Sequence, residues 1–192
     1  MFNIAVLISG SGTNLQALID ADKEDKWQIK LVISDRENAF GLKRAALKNI
    51  ETRVILKHTP HILLKLLKER SIDYIVLAGY LSILPLEIIE AYSRRIINIH
   101  PSLIPAFCGK GFYGTKVHDA VLKSGVKITG ATVHFVDDGI DTGPIILQER
   151  IPILNNDTVE SLQKRVLQVE HKILVEAIKI VVEGKNEYTN NR

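Results

Sequence analysis

Apolar residues along the chain alternate between short continuous runs and segments in which they recur at helical spacing. Residues 2–8 form an almost continuous apolar run, which is typical of a buried parallel strand, and further strands are predicted at residues 27–34, 53–56, 72–78 and 96–100. Helical spacing or a helix-starting proline indicates intervening helices at residues 15–20, 40–48, 60–70 and 85–92. This alternation predicts an α/β fold, with a mostly parallel, doubly wound (Rossmann-like) sheet covered by helices on both faces.

The pattern changes after residue 105. A glycine-rich stretch at 106–114 predicts a polar, flexible loop outside the core, and a helix follows at 115–123. Two strands at 129–136 and 144–153 are joined by a short turn, which predicts a hairpin that adds an antiparallel edge to the sheet. A long amphipathic C-terminal helix is predicted at 159–182, capped by one of residues 156–158 and ended by Gly184.

Composition narrows the class of protein. The 192 residues are 46% apolar and 24% charged, which is ordinary for one soluble globular domain. The net charge of +3 is spread along the chain, which argues against a nucleic-acid-binding stripe and suits a small anionic ligand. Cys108 is the only cysteine, so a disulfide within one chain is excluded and a cytoplasmic location is expected. The N-terminus lacks the basic region of a signal peptide, and no apolar run approaches the ~20 residues of a membrane span.

The loop after the first strand is the first candidate site. Its glycines allow a tight turn, and the following helix presents free N–H groups and the positive end of its dipole to an anion. Asp35, after the second strand, resembles the ribose-binding acid of dinucleotide sites, but the third glycine of that fingerprint is replaced by Leu15. Residues 10–14 therefore fit a phosphate or phosphate-ester site better than a dinucleotide site, with an ordinary strand-to-helix turn as the alternative.

A second candidate site lies at the end of the strand at 96–100. Because alternate residues of a strand share a face, Asn98 and His100 project from the same side, just before Pro101 ends the strand. An amide and an imidazole so placed can polarise a carbonyl and stabilise an oxyanion. Asp141, in the hairpin turn, would raise the pKa of His100 if the two were paired, although acidic residues are also common in turns for structural reasons.

Other assignments of the same residues remain open. His134 lies on the strand that precedes Asp141, and a histidine in that position is more often a core or sheet residue than a ligand. His100, His134 and Asp141 could form a two-histidine, one-carboxylate metal site, but no tight ligand spacing supports it. Ser102 lacks the surroundings of a nucleophilic serine, so a turn residue is the simpler interpretation.

Eight segments spread over almost the whole chain resemble the phosphoribosylglycinamide formyltransferase family of folate-dependent enzymes. They are residues 7–17 (LISGSGTNLQA), 34–35 (SD), 76–80 (VLAGY), 98–105 (NIHPSLIP), 109–114 (GKGFYG), 130–136 (GATVHFV), 141–148 (DTGPIILQ) and 170–171 (EH). The HPSLxP part is shared by several formyl-transferring relatives, whereas the ordered set is specific.

The resemblance implies formyl transfer from 10-formyltetrahydrofolate to the amine of glycinamide ribonucleotide, in de novo purine (IMP) synthesis. Asn98, His100 and Asp141 match the family's catalytic residues. Asn98 and His100 would hold the formyl oxygen, and Asp141 would support His100 and help to relay a proton. The positions that bind the ribonucleotide and its phosphate match Gly12, Thr13, Asn14 and Glu170. The folate-binding positions match Leu81, Ser82, Ile83, Leu84, Asn98, Asp137, Asp138, Gly139, Ile140 and Asp141.

By the same resemblance, one formyltransferase domain is expected over residues 1–192. Its half at 1–100 is predicted to bind the nucleotide phosphate, and its half at 101–192 is predicted to bind folate and carry the catalytic groups. The expected co-substrate is 10-formyltetrahydrofolate, without a metal. The expected partners are these small molecules, with no nucleic acid and no membrane, and a monomer or a homodimer is expected.

The chain departs from the family pattern at two places. Many members carry a basic residue where this chain has Ser82. Many also have a longer segment with an arginine where residues 57–60 (KHTP) run straight into a helix. Both differences concern the outer contacts of the folate donor, including its polyglutamate tail.

Three rival functions share parts of the pattern. A formyl-folate hydrolase of the same superfamily usually has an extra N-terminal regulatory domain and lacks the loop at 10–14. A transferase that acts on initiator tRNA is expected to have a C-terminal RNA-binding domain. A non-catalytic nucleotide-binding module would use the glycine loop alone, which leaves the association of Asn98, His100 and Asp141 unexplained.

Overall fold

A computed structural model describes residues 1–21, 26–56 and 59–184. The described residues form one seven-stranded sheet and six helices. The strands are β1 (Phe2–Ile8), β2 (Trp27–Ser34), β3 (Glu51–Val54), β4 (Tyr74–Leu77), β5 (Ile96–His100), β6 (Ile128–Phe135) and β7 (Ile145–Pro152). The helices are α1 (Thr13–Ala21), α2 (Phe40–Ala46), α3 (Pro60–Glu69), α4 (Leu86–Ala91), α5 (Thr115–Ser124) and α6 (Val159–Val182).

The strand order is β3-β2-β1-β4-β5-β6-β7. The first five strands are parallel, whereas β6 pairs with β5 and β7 pairs with β6 in antiparallel register. This arrangement confirms the predicted fold class, including the antiparallel C-terminal edge and the long C-terminal helix. None of the helices in the described ranges is long and apolar enough to cross a membrane.

The sheet buries an apolar layer on each face because its central strands are apolar on both sides. Along β1, Ile4, Val6 and Ile8 pack on one face, with residues from α1, α5 and α6. Ala5 and Leu7 pack on the other face, with residues from α3 and α4. A strand that is buried on both faces must read as a continuous apolar run, and this is why the run at 2–8 could be interpreted from the sequence.

Element ends differ from the predictions by one or two residues in several places. The predicted strand at 53–56 is in fact Glu51–Val54, since Leu56 lies beyond the ladder with β2 and is 56% exposed. The predicted helix at 40–48 ends earlier, at Ala46. In contrast, α6 has the predicted bounds, and its N-cap is Thr158, whose side chain accepts a hydrogen bond from the Ser161 N–H.

The glycine-rich stretch at 106–114 is a loop, but it is not wholly outside the core. Phe107 and Phe112 are partly buried against the core, and their rings meet edge-on with centroids 6.5 Å apart. The expectation of a purely polar loop was therefore wrong at these two aromatic residues. Their packing holds the loop against the end of β5, where the site begins.

Candidate active site

The loop between β1 and α1 lies at the point where the strand order reverses, which is where open α/β sheets bind ligands. The Ser9 N–H donates to the Gly79 carbonyl, and the Ser9 hydroxyl accepts from the Leu81 N–H, so the loops after β1 and β4 are joined. Gly12 has a φ of 70°, and a Cβ added there would lie 2.6 Å from Gly41 Cα. The glycine is thus required by both its backbone conformation and its close packing on α2.

His100 is buried at the end of β5, and both of its ring nitrogens face polar groups. Nε2 lies 3.0 Å from the Phe107 carbonyl oxygen, and Nδ1 lies 3.6 Å from Asp141 Oδ2. Because a carbonyl oxygen only accepts, Nε2 carries the hydrogen and donates it to Phe107. Nδ1 is therefore the nitrogen that titrates and that remains for chemistry beside the Asp141 carboxylate.

The hairpin turn delivers Asp141 to this histidine. Asp141 has a φ of 58°, a conformation that residues other than glycine rarely adopt and that is common at functional sites. Its Oδ2 accepts a hydrogen bond of 2.9 Å from the Gly109 N–H, and its Oδ1 lies 3.7 Å from His134 Nε2. The loop at 106–114 consequently fixes both partners, His100 through the Phe107 carbonyl and Asp141 through the Gly109 amide.

Burial and the neighbouring polar and charged groups shift the pKa values of His100 and Asp141 in opposite directions. Burial lowers the pKa of His100, whereas the Phe107 carbonyl and the Asp141 carboxylate oppose the shift by stabilising the imidazolium. Burial disfavours ionised Asp141, but His134, the Gly109 N–H and His100 together leave its pKa below the ordinary value. Asp141 is therefore a carboxylate at neutral pH, and it is the main nearby charge that keeps the imidazolium accessible.

Asn98 is held by the neighbouring antiparallel strand. The register of β5 and β6 places Asn98 directly opposite His134, and Asn98 Nδ2 lies 3.1 Å from His134 Nε2. His134 is 1% exposed, and its Nδ1 lies 2.7 Å from the Phe135 carbonyl oxygen. The histidine is thus a buried sheet residue that also contacts the site, so the two interpretations offered for it from the sequence do not exclude each other.

Glu170, on α6, contacts Asn14 at the end of the loop at 10–14. Its Oε2 accepts a hydrogen bond of 2.7 Å from Asn14 Nδ2, and the Asn14 Oδ1 atom is buried without a hydrogen-bond partner among the described residues. Burial raises the pKa of Glu170, and the Asn14 amide only partly offsets the shift. A buried carboxyl with one donor and an adjacent unpartnered acceptor is a polar surface suited to hydroxyl or amine groups of a ligand.

The segment at 81–84 separates into core and site residues. Leu81, Ile83 and Leu84 all border the cavity, but Leu84 is 5% exposed and packs in the core, whereas Leu81 and Ile83 are 46% and 78% exposed. The Ser82 hydroxyl donates a 2.5 Å hydrogen bond to the Asp35 carboxylate, whose side chain is fully buried. Asp35 therefore holds the 81–84 segment in place through Ser82. Its buried carboxylate is not available to bind a ribose.

All the residues predicted for the site border one cavity of about 680 Å³. They are Gly12, Thr13, Asn14, Leu81, Ser82, Ile83, Leu84, Asn98, His100, Asp137, Asp138, Gly139, Ile140, Asp141 and Glu170. The differing segment at 57–60 is only partly described, since Lys57 and His58 lie outside the described residues.

Several residues that line the cavity were not predicted from the sequence. Gln163 and Leu167 line the cavity beside Glu170, and their spacing of four and three residues along α6 places all three on one helix face. That spacing was a usable signal. His118 also lines the cavity, from α5, but nothing in the sequence distinguished it from an ordinary buried residue of an amphipathic helix.

His118 should make folding stability depend on pH. Burial, with a smaller contribution from nearby His100, lowers its pKa from 6.5 to about 4. The unfolded chain gains this proton near pH 6.5 and the folded chain only near pH 4, so stability is lost as the pH falls through this window. Between about pH 7 and pH 4.5, His118→Gln should lose roughly 2 kcal/mol less stability than the wild type. Urea denaturation at both pH values measures this difference, and equal losses would contradict it.

The geometry also describes Ser102 and the surroundings of His134. Ser102 is fully buried, and its hydroxyl donates a 2.6 Å hydrogen bond to the Ala106 carbonyl, so it is a turn residue and not an exposed nucleophile. In the part of the chain that the structure describes, no group of three His, Cys, Asp or Glu side chains is arranged to hold a metal ion. His134 instead uses Nε2 towards Asn98 and Nδ1 towards the Phe135 carbonyl.

Comparison with known proteins matches residues 2–178 to the family described as formyl transferase. A chloroplastic phosphoribosylglycinamide formyltransferase of Vigna unguiculata is 39% identical over 95% of this chain, and the chain spans 61% of its length. A phosphoribosylglycinamide formyltransferase of Dictyostelium discoideum is 43% identical, over 94% of this chain and 98% of its own.

Solved structures agree with these matches. Glycinamide ribonucleotide transformylase 1 from Symbiobacterium toebii superposes with a TM-score of 0.89 at 42% identity, covering 96% of this chain and 89% of its own. A formyltetrahydrofolate deformylase from Pseudomonas syringae pv. tomato is more distant, with a TM-score of 0.85 at 26% identity. It covers 95% of this chain and 62% of its own.

Proposed function

The chain belongs to the formyl transferase family, and we propose that it transfers the formyl group of 10-formyltetrahydrofolate to the amine of glycinamide ribonucleotide, a step of purine synthesis. The observation that carries the proposal is the cavity shared by two sets of groups. Asn98, His100 and Asp141 supply carbonyl activation and proton handling, while the loop at 10–14 and Glu170 supply the surface for a phosphorylated acceptor.

The acceptor lies with its phosphate against the N-terminus of α1, where free backbone N–H groups and the helix dipole favour an anion. Thr13 and Asn14 begin that helix, and Gly12 lets the backbone approach closely. The Glu170 carboxyl receives hydrogen bonds from the ribose or the glycinamide. These contacts direct the free amine towards the end of β5.

The folate donor occupies the side of the cavity bordered by the 81–84 segment and the hairpin turn. Leu81, Ile83 and Ile140 offer partly exposed apolar surface to the flat pterin, and polar backbone of the 137–141 turn lies beside it. With Ser82 bonded to Asp35, this segment offers no cation at position 82 to the glutamate tail. Outer contacts to the tail must then come from elsewhere on the rim.

In the reaction, the acceptor amine attacks the formyl carbon, and the carbonyl oxygen becomes an oxyanion. Asn98 donates an N–H to the oxyanion, and His100 as imidazolium donates from Nδ1, the nitrogen left open by the Phe107 contact. The tetrahedral intermediate collapses with cleavage of the bond to the folate N10. The proton lost by the amine reaches N10 through Asp141 and water, so that the products are the formylated amide and tetrahydrofolate.

A single assay separates this function from its rivals. The protein is mixed with a 10-formyl folate, with or without glycinamide ribonucleotide, and loss of the formyl donor is followed. Transferase activity predicts donor loss that depends on the ribonucleotide. Loss without it would instead support the hydrolase, the activity for which the Pseudomonas neighbour is named. No loss under either condition would support a binding module.

Crowding the phosphate loop should weaken ribonucleotide binding. Gly12→Ala adds a Cβ within 2.6 Å of Gly41 Cα, which must displace the loop from α2. We expect at least a roughly tenfold rise in Kd for the ribonucleotide by calorimetry, with a smaller change in kcat. Gly125→Ala is a matched control, because Gly125 also has a positive φ, of 72°, but its added Cβ meets nothing within 4 Å. A loss of turnover with normal affinity in Gly12→Ala would remove this loop from acceptor binding.

A further inference from the structure

Two residues of α2 hold the loop at 10–14 from the side opposite the cavity. The Gly41 N–H donates to the Gly10 carbonyl at 3.1 Å, and Arg44 Nε donates to the Ser11 carbonyl at 2.9 Å. The loop residues border the cavity, whereas no residue of α2 does so in the part of the chain that the structure describes. The loop therefore lies between α2 and the cavity, and two of its consecutive carbonyls point towards α2.

These contacts determine which way the N–H groups of the loop face. A trans peptide unit is planar, and its N–H points away from its C=O. Because the Gly10 and Ser11 carbonyls point towards α2, the N–H groups of Ser11 and Gly12 point away from α2, towards the cavity. Neither N–H has an acceptor among the described residues, and the N–H of Thr13 at the start of α1 is a third free donor. Successive free N–H groups of this kind form a concave site for an anion.

The Arg44 side chain is held by contacts with three parts of the structure. Its Nη1 donates to Gln16 Oε1 on α1 at 3.2 Å, and its Cζ lies 5.0 Å from the centroid of the Phe40 ring on α2. Its stem packs on the loop, since a Cβ added at Gly12 would lie 3.6 Å from Arg44 Cδ. These contacts fix the guanidinium beside the Ser11 carbonyl.

We propose that Arg44 is a positioning residue for acceptor binding, which holds the Ser11 carbonyl towards α2 and so keeps the N–H groups of the loop turned to the acceptor's phosphate. Without this bond, the peptide between Ser11 and Gly12 is free to rotate, because glycine adopts either sign of φ, and to turn its carbonyl oxygen towards the anion. The inference rests on the proposed formyl transfer and deepens it. Arg44 itself does not border the cavity and touches no reacting atom.

Two substitutions separate the hydrogen bond from the packing of the stem. Arg44→Met keeps an unbranched apolar stem against the loop but removes the donor and the charge, whereas Arg44→Lys keeps a charged donor. We expect Arg44→Met to raise the KM for glycinamide ribonucleotide by about 10- to 30-fold, with kcat and the KM for the folate donor within about twofold, because the lost contact acts equally in the ground state and the transition state. Arg44→Lys should return the KM to within about threefold of the wild type.

Lys43→Met is a matched control. Lys43 precedes Arg44 on α2, and its Nζ lies 6.0 Å from the centroid of the same Phe40 ring, but in the described part of the chain it donates to no carbonyl of the loop. It removes the same charge from the same helix, so its KM for the ribonucleotide should stay within about twofold of the wild type. Equal rises in Arg44→Met and Lys43→Met would overturn the proposal, as would an unchanged KM in Arg44→Met.

Ribose 5-phosphate tests the contact without a formyl donor. Titrated into the wild type and followed by NMR, it should shift the backbone amide signals of Ser11, Gly12 and Thr13. Arg44→Met should raise the Kd from this titration by about 10- to 30-fold, as it raises the KM. The same Kd in both proteins, or no shift of these amides in the wild type, would overturn the proposal. Because the titration contains no folate, it can succeed even if the reaction is not formyl transfer, so the two failures are distinguishable.

Discussion

Replacing His100 with alanine should lower kcat by about 10³- to 10⁴-fold while the Kd for glycinamide ribonucleotide changes by less than about twofold. In the proposed mechanism the imidazole is both a donor to the oxyanion and the buried group through which Asp141 acts, so its loss would remove two contributions at once. The acceptor contacts proposed for the loop at 10–14 and for Glu170 are untouched, because they come from α1 and α6.

Steady-state kinetics and calorimetry on the same preparation measure the two quantities. His61→Ala is a suitable control, because His61 lies exposed on α3 and does not border the cavity. A variant at His100 with near-normal turnover and much weaker ribonucleotide binding would place this histidine in acceptor binding and remove it from the chemistry.

Neutralising Asp141 should have the second largest effect. In Asp141→Asn the carboxylate that stabilises the imidazolium is lost, so burial should lower the pKa of His100 further. The fraction of imidazolium at neutral pH then falls, and the proposed proton relay loses its carboxylate. We expect kcat to fall by about 10²- to 10³-fold near neutral pH, with the activity that remains displaced towards lower pH.

The pH dependence of kcat, together with NMR titration of His100, measures this shift. Its direction follows from the sign of the interaction, since removal of a neighbouring negative charge always disfavours the cationic form of histidine. Asp119→Asn serves as a control, because Asp119 is paired with Lys123 on the surface of α5. An unchanged or raised His100 pKa in Asp141→Asn would show that the carboxylate does not support the imidazolium.

The sheet could be predicted from the sequence because its central strands are buried on both faces and therefore read as continuous apolar runs. The edge strand β3 was placed two residues too far along the chain, since it has no such run and Leu56 beyond it is apolar but exposed. Local hydrophobicity locates buried strands, whereas the ends of an edge strand depend on its pairing, here with Leu31–Ser34 of β2.

The features of the site also divide into those that the local sequence predicts and those that depend on tertiary structure. The shared face of Asn98 and His100 follows from the period of a strand and needs no tertiary knowledge. The opposition of Asn98 and His134 depends on the β5–β6 register, and these strands are separated in the chain by the 106–114 loop and α5. No local pattern encodes that register. The sequence also could not show which ring nitrogen of His100 titrates, because this depends on the contact between Nε2 and the backbone carbonyl of Phe107.

Interpretation by resemblance brought together residues that spacing alone could not. Asp141 and Glu170 come from the hairpin turn and from α6, and both border the cavity with the loop at 10–14. The resemblance included residues 34–35 but gave no role to Asp35, which accepts a hydrogen bond from Ser82, and it did not include His118. Such supporting contacts depend on this chain's own packing.

The proposed reaction moves the formyl group directly from the folate donor to the acceptor amine. Supplying 10-formyltetrahydrofolate with an isotopically labelled formyl carbon, together with glycinamide ribonucleotide, and following the label by NMR or mass spectrometry distinguishes this transfer from hydrolysis. We predict that the label appears in the amide of the ribonucleotide, in equal amount to the tetrahydrofolate released, and that His100→Ala abolishes its transfer. Label recovered as free formate, with the ribonucleotide unlabelled, would contradict the proposed function.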